Sequence, residues 1–114
     1  MVTIYHNPRC SKSRQTLQLL QDNNVSPDIV EYLKAPLSYQ QLSEIIDKLG
    51  ITARDLLRTS EQDYKDMNLK NRDLSDDDLI NAMVEAPKLM QRPIVVNGAK
   101  AAIGRPPEDV LSIL

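Results

Sequence analysis

Apolar residues in this chain fall into short runs and spaced stripes, separated by Pro, Gly, Asn and Asp. The run VTIY, Val2 to Tyr5, is rich in β-branched and aromatic residues and predicts a short strand, which Asn7-Pro8 ends. From Ser11 to about Asn23 the spacing turns helical, with Leu17 and Leu20 three apart on one face. DIVEY, Asp28 to Tyr32, predicts a second strand. Pro36 and Ser38 open the next helix: Ser38 and Gln41 form a capping box ahead of LSEIIDKLG, and Gly50 stops it. Thr52 is placed to cap a short helix through Leu57, and Ser75 another through about Glu85. The second of these carries Asp76, Asp77 and Asp78 against its dipole, and Leu79, Ile80, Met83 and Val84 as its buried stripe. Thr59 to Leu74 reads as the loosest segment, its charges a solvated face. After Pro93, IVVNGAKAAIG places two apolar runs around Asn97-Gly98, a strong hairpin signal. RPPEDVLSIL then begins a last helix with prolines near its first turn.

The order is strand, helix, strand, several helices, hairpin, helix. The first βαβ unit requires a parallel pair with a right-handed crossover, and the hairpin adds antiparallel strands. The chain is therefore expected to be α/β, one domain over residues 1–114. It should have a small mixed four-stranded sheet, helices on both faces and a helical insertion between strands 2 and 3. A cysteine between the first strand and first helix makes this plan resemble the thioredoxin-like fold. In such sheets ligands gather at strand C-termini and helix N-termini.

Composition narrows the function. Hydrophobic residues make up 41% and charged ones 26%, as in ordinary globular proteins, and the formal net charge is −2. No long basic tract exists, which argues against a nucleic-acid partner and makes any anion recognition local. No apolar run approaches the roughly 18 residues that span a bilayer, and the N-terminus lacks a secretory signal pattern. A cytoplasmic monomer is the expectation. Cys10 is the lone cysteine, so it is either inert packing or a working thiol.

The stretch YHNPRCSKSR, Tyr5 to Arg14, decides between these. Arg9, Lys12, Arg14 and His6 all lie within five positions of Cys10. A start-of-helix position supplies unsatisfied N–H groups and a partial positive charge, and Ser11 and Ser13 add hydroxyl donors. Helix N-termini with nearby cations bring thiol pKa values from ~8.5 to about 3.5–7.5. Charged flanks after a proline do not make a core, so the reactive reading stands ahead of the packing one. His6, the lone histidine, either polarises the cysteine loop or holds it by hydrogen bonds. No second histidine or cysteine exists to make it a metal ligand.

Arg92 precedes Pro93 and the hairpin, and Arg105 follows it. With the turn centred on Asn97-Gly98, antiparallel pairing sets position 92 opposite 103, leaving both arginines at one open end. Two planar guanidiniums there fit an oxyanion clamp. The bland alternative is two surface arginines paired with carboxylates.

YHNPRCSKSR, LLR ending at Arg58, RPIVV from Arg92 and GRPPEDVL containing Arg105 together resemble the glutaredoxin-dependent arsenate reductases, along essentially the whole chain. The resemblance implies Cys10 as nucleophile, His6 and Ser13 as its thiolate-supporting neighbours, and Arg58, Arg92 and Arg105 as an oxyanion-binding triad. It also implies a cis Arg92–Pro93 bond. The implied reaction reduces arsenate to arsenite through a Cys10–arsenic adduct. Glutathione is the co-substrate, glutaredoxin the partner, and no cofactor or metal is bound. Longer relatives run some twenty residues further, which places this chain in a short subgroup whose substrate need not be arsenate. Two other readings stay open. Spx-type regulators share the fold and bind RNA polymerase, commonly with a Cys-x-x-Cys switch where this chain has Ser13. A thiol transferase acting on glutathione conjugates would not need three arginines.

Overall fold

The structure, a computed structural model, describes residues 1–114. The chain divides into two compact units, Met1–Ala35 with Arg92–Leu114, and Pro36–Gln91. The first holds the whole sheet: β1 (Val2–His6), β2 (Asp28–Glu31), β3 (Ile94–Asn97) and β4 (Lys100–Ile103) in the order β2-β1-β3-β4. β1 pairs parallel with β2 and antiparallel with β3, which pairs antiparallel with β4. The sheet is open and mixed, as the element order required, and the second unit is the helical insertion between β2 and β3.

Helix α1 (Ser11–Asp22) makes the β1-to-β2 crossover, burying Ser13, Thr16 and Leu20 along one stripe. Ile4 and Val95 are cross-strand partners and form a core with Leu20 and Val110, all 0% exposed. Burying each such side chain stabilises the fold by about 1.5–3 kcal/mol. Val110 belongs to the expected last helix, which is a 3₁₀ segment, Pro107–Ile113. Its turns close over three residues, as in Asp109 N–H to Pro106 O at 3.0 Å, and neither Pro106 nor Pro107 has an N–H to give. Asn97 Nδ2 donates to Ile113 O at 2.7 Å and ties this segment to the hairpin. On the other sheet face Ile94 is also wholly buried.

The insertion contains α2 (Tyr39–Leu49), α3 (Gln62–Asp66) and α4 (Asp76–Glu85), with 3₁₀ turns at Arg54–Leu56 and Pro87–Leu89. Ser38 and Gln41 form the expected capping box, and Gly50 ends α2 at φ 68, a left-handed conformation glycine adopts without Cβ strain. Ser75 caps α4 reciprocally with Asp78. Thr52 and Asp55 exchange the same pair of bonds at the short 3₁₀ turn. The α4 stripe is Leu79, Ile80, Ala82 and Met83, with Val84 only half-buried. Helix α3 falls in the segment read as loose; it buries no residue, so no apolar stripe announced it. No helix is long and apolar enough to cross a membrane.

Candidate active site

Cys10 is the residue immediately before α1, with extended backbone at φ −90 and ψ 123, and no side-chain hydrogen bond of the usual capping kind closes that end. A Ser or Asp in this position would accept from the N–H groups two and three residues on. Those groups belong to Lys12 and Ser13, and both act on the Cys10 sulfur instead. Partial burial pushes the thiol up. The Ser13 amide, the Arg92 side chain and the Lys12 amide outweigh it, and the net result is a thiol pKa below its ordinary value.

The hairpin supplies the arginines. Its two-residue loop is Gly98-Ala99, with Gly98 at φ 60, and Asn97 still pairs with Lys100. This corrects the register expected from a turn at Asn97-Gly98 by two residues. Ile94 faces Ile103, the ladder continues through Gly104 N–H to Pro93 O at 2.9 Å, and Arg92 lies directly across from Arg105. Arg105 Nε donates to Arg92 O at 2.7 Å, and its Nη2 stands 3.7 Å from Cys10 Sγ. Both Arg92–Pro93 and Arg105–Pro106 are cis; the first was expected, the second was not.

Gly104 explains how α1 comes so close. A Cβ there would lie 2.5 Å from Thr16 Oγ1 and 2.8 Å from Pro93 Cγ. Thr16 is wholly buried, with its hydroxyl donating to Lys12 O at 2.8 Å. Only glycine lets the helix that presents Cys10 lie against the strand ends that present the arginines.

His6 and Ser13 meet as a buried pair, Nδ1 to Oγ at 2.7 Å. This bond joins the end of β1 to the first turn of α1. Burial is the main cause lowering the His6 pKa, opposed by Glu31 and aided by Arg14. Arg14 also anchors the loop, its Nη1 donating to Pro8 O at 3.0 Å. Arg58 belongs to the helical unit, where its N–H donates to Leu89 O at 2.7 Å and its Nε lies 3.6 Å from Glu61 Oε1. Sequence reasoning missed Thr16, Gly104 and Asn7. Of these only Asn7 left a signal, as the Asn-Pro start of a tight turn.

An open mixed sheet with a lowered-pKa thiol at the start of its first helix makes this a thioredoxin-like protein. More particularly, the chain belongs to the ArsC family, whose profile matches residues 5–113. It is 52% identical over 114 residues to an arsenate reductase of Haemophilus influenzae, covering 99% of this chain and 98% of that protein. It is 40% identical over 113 residues to an arsenate reductase of Escherichia coli, covering 99% of this chain and 80% of that longer one. The solved structure of an arsenate reductase from Vibrio cholerae superposes with a TM-score of 0.97 at 48% identity, over 99% of this chain and 97% of that one.

Proposed function

We propose that this protein is a thiol-dependent arsenate reductase acting through Cys10. The observation that carries the reading is Arg105, which holds the Arg92 carbonyl with Nε while extending Nη2 to 3.7 Å from Cys10 Sγ. A guanidinium so placed presents its remaining N–H groups to an oxyanion lying over the sulfur, and Arg92 also acts on that sulfur. The names of relatives at 52% and 40% identity support arsenate as that oxyanion.

The Cys10 thiolate attacks arsenic(V), forming an S–As bond as one arsenate oxygen leaves as water. Arg92 and Arg105 offset the negative charge of the oxyanion and of the attack on it. The family resemblance adds Arg58 to this role. The chain has one cysteine, so no internal thiol can resolve the adduct. A glutathione thiolate does so: two electrons pass to arsenic, arsenite leaves, and Cys10 is left in a mixed disulfide with glutathione, which glutaredoxin and a second glutathione reduce. The electrons come from this thiol pool, so no bound cofactor or metal is required, and the setting is the reducing cytoplasm.

The test is NADPH consumption coupled through glutathione reductase, with glutathione and glutaredoxin supplied. Arsenate-dependent consumption, poorly supported by thioredoxin alone, is the expected result. Consumption indifferent to arsenate refutes the reading, and RNA polymerase binding in its place would favour a regulator.

A further inference from the structure

The turn that delivers the chain to Cys10 is built around Asn7, a residue 8% exposed that has no place in the chemistry above. Three bonds leave it. Its carbonyl accepts from Cys10 N–H at 3.0 Å, which closes a β-turn over Pro8 and Arg9. Its side-chain Oδ1 accepts from Arg9 N–H at 3.1 Å, an Asx-turn nested inside the first. Its own N–H donates to Ser13 Oγ at 3.0 Å. Asn7 therefore grips the thiol-bearing residue from the strand side and the first turn of α1 from the other.

The third bond also reaches a side chain that is buried against His6. Ser13 Oγ accepts from Asn7 N–H at 3.0 Å and lies 2.7 Å from His6 Nδ1, so Asn7 and His6 hold the same hydroxyl. Ser13 also offers Cys10 its amide, so the residue that Asn7 holds by the side chain meets the sulfur by the backbone.

We propose that Asn7 is the positioning residue that holds the Cys10 sulfur in line with the Lys12 and Ser13 amides, and so sets how much thiolate the protein carries. The proposal rests on the reading of Cys10 as the nucleophile. The Asn7 carboxamide stands at the head of the loop, where Pro8 and Arg9 are exposed, and its Oδ1 is the one side-chain acceptor holding their backbone.

The test is a thiolate absorbance titration of Cys10 in the wild type, Asn7→Ala and Asn7→Ser, each paired with a melting curve. Losing the Asx-turn in Asn7→Ala should raise the thiol pKa by about one unit as the amides lose alignment. Asn7→Ser should lie between, because a serine hydroxyl makes the same turn more weakly. A residue that only stabilised the fold would lower the melting temperature and leave the thiol pKa where it was, and that result overturns the proposal. Should Asn7→Ala fail to fold, Asn7→Ser against wild type decides, a raised pKa supporting and an equal one refuting. A wild-type thiol with an ordinary pKa would instead remove the nucleophile reading itself, so the two failures are distinct.

Discussion

The sheet unit and the helical unit carry seven Lys and Arg each, yet the first has five Asp and Glu and the second eleven. The imbalance is put to different uses. In the helical unit carboxylates build local structure: Asp76, Asp77 and Asp78 occupy the first turn of α4, Asp78 completes the Ser75 capping box, and Asp77 accepts from the Tyr39 hydroxyl. In the sheet unit cations gather around Cys10, along the chain or at the hairpin's open end. Arg9, Lys12 and Arg14 flank Cys10 in the chain, and Arg92 and Arg105 meet it from the hairpin's open end. Only Lys100, at the hairpin turn, and Lys34, paired with Glu31, stand aside. A chain of net charge −2 thus holds a locally cationic site, and overall charge is a poor guide to what it binds.

If the thiol chemistry belongs to the sheet unit, changes there should alter reactivity, while changes in the insertion other than at Arg58 alter stability alone. The largest effect is expected for Cys10→Ser, which should abolish arsenate-dependent turnover with an unchanged circular dichroism spectrum; residual turnover would break the comparison. Next, Arg92→Ala or Arg105→Ala should each weaken arsenate affinity in calorimetry by about 1.5–3 kcal/mol, the scale of a hydrogen bond to a charged group. Lys100→Ala, in the same unit, should leave that affinity unchanged. Gly104→Ala forces a methyl group against Thr16 and Pro93 and should cost about 1–3 kcal/mol of stability while also weakening arsenate binding. Loss of stability with intact binding would show that the helix approach does not set the site. Smallest, Ser75→Ala removes the α4 cap at about 1 kcal/mol, and the pH profile of Cys10 alkylation should not move.

Legibility in the sequence follows how local the deciding interaction is. The capping box at Ser38, the cap at Ser75 and the stop at Gly50 are settled within a few residues, and each formed where its residues predicted. Cys10 at the start of α1 was equally plain, because Pro8 and the polar helix that follows define it. The hairpin loop was not. Asn97-Gly98 is a strong turn signal, but the Asn97 side chain is taken by the Ile113 carbonyl and its backbone stays in the ladder, so the loop moves to Gly98-Ala99. That contact joins residues sixteen apart and no local pattern encodes it. The consequence was better than expected, since it sets Arg92 across from Arg105 rather than near it. Gly104 was silent for the same reason: its meaning lies in Thr16, which only the crossover brings near.

On the proposed function, a lowered-pKa thiolate and an oxyanion share one site at the start of α1. The pH profile of iodoacetamide alkylation of Cys10, taken with and without arsenate at matched ionic strength, tests it most directly. The apparent pKa should fall below the ~8.5 of a free thiol, and arsenate should slow alkylation saturably, less so in Arg105→Ala. An apparent pKa at or above the free-thiol value, with a rate indifferent to arsenate, would contradict it.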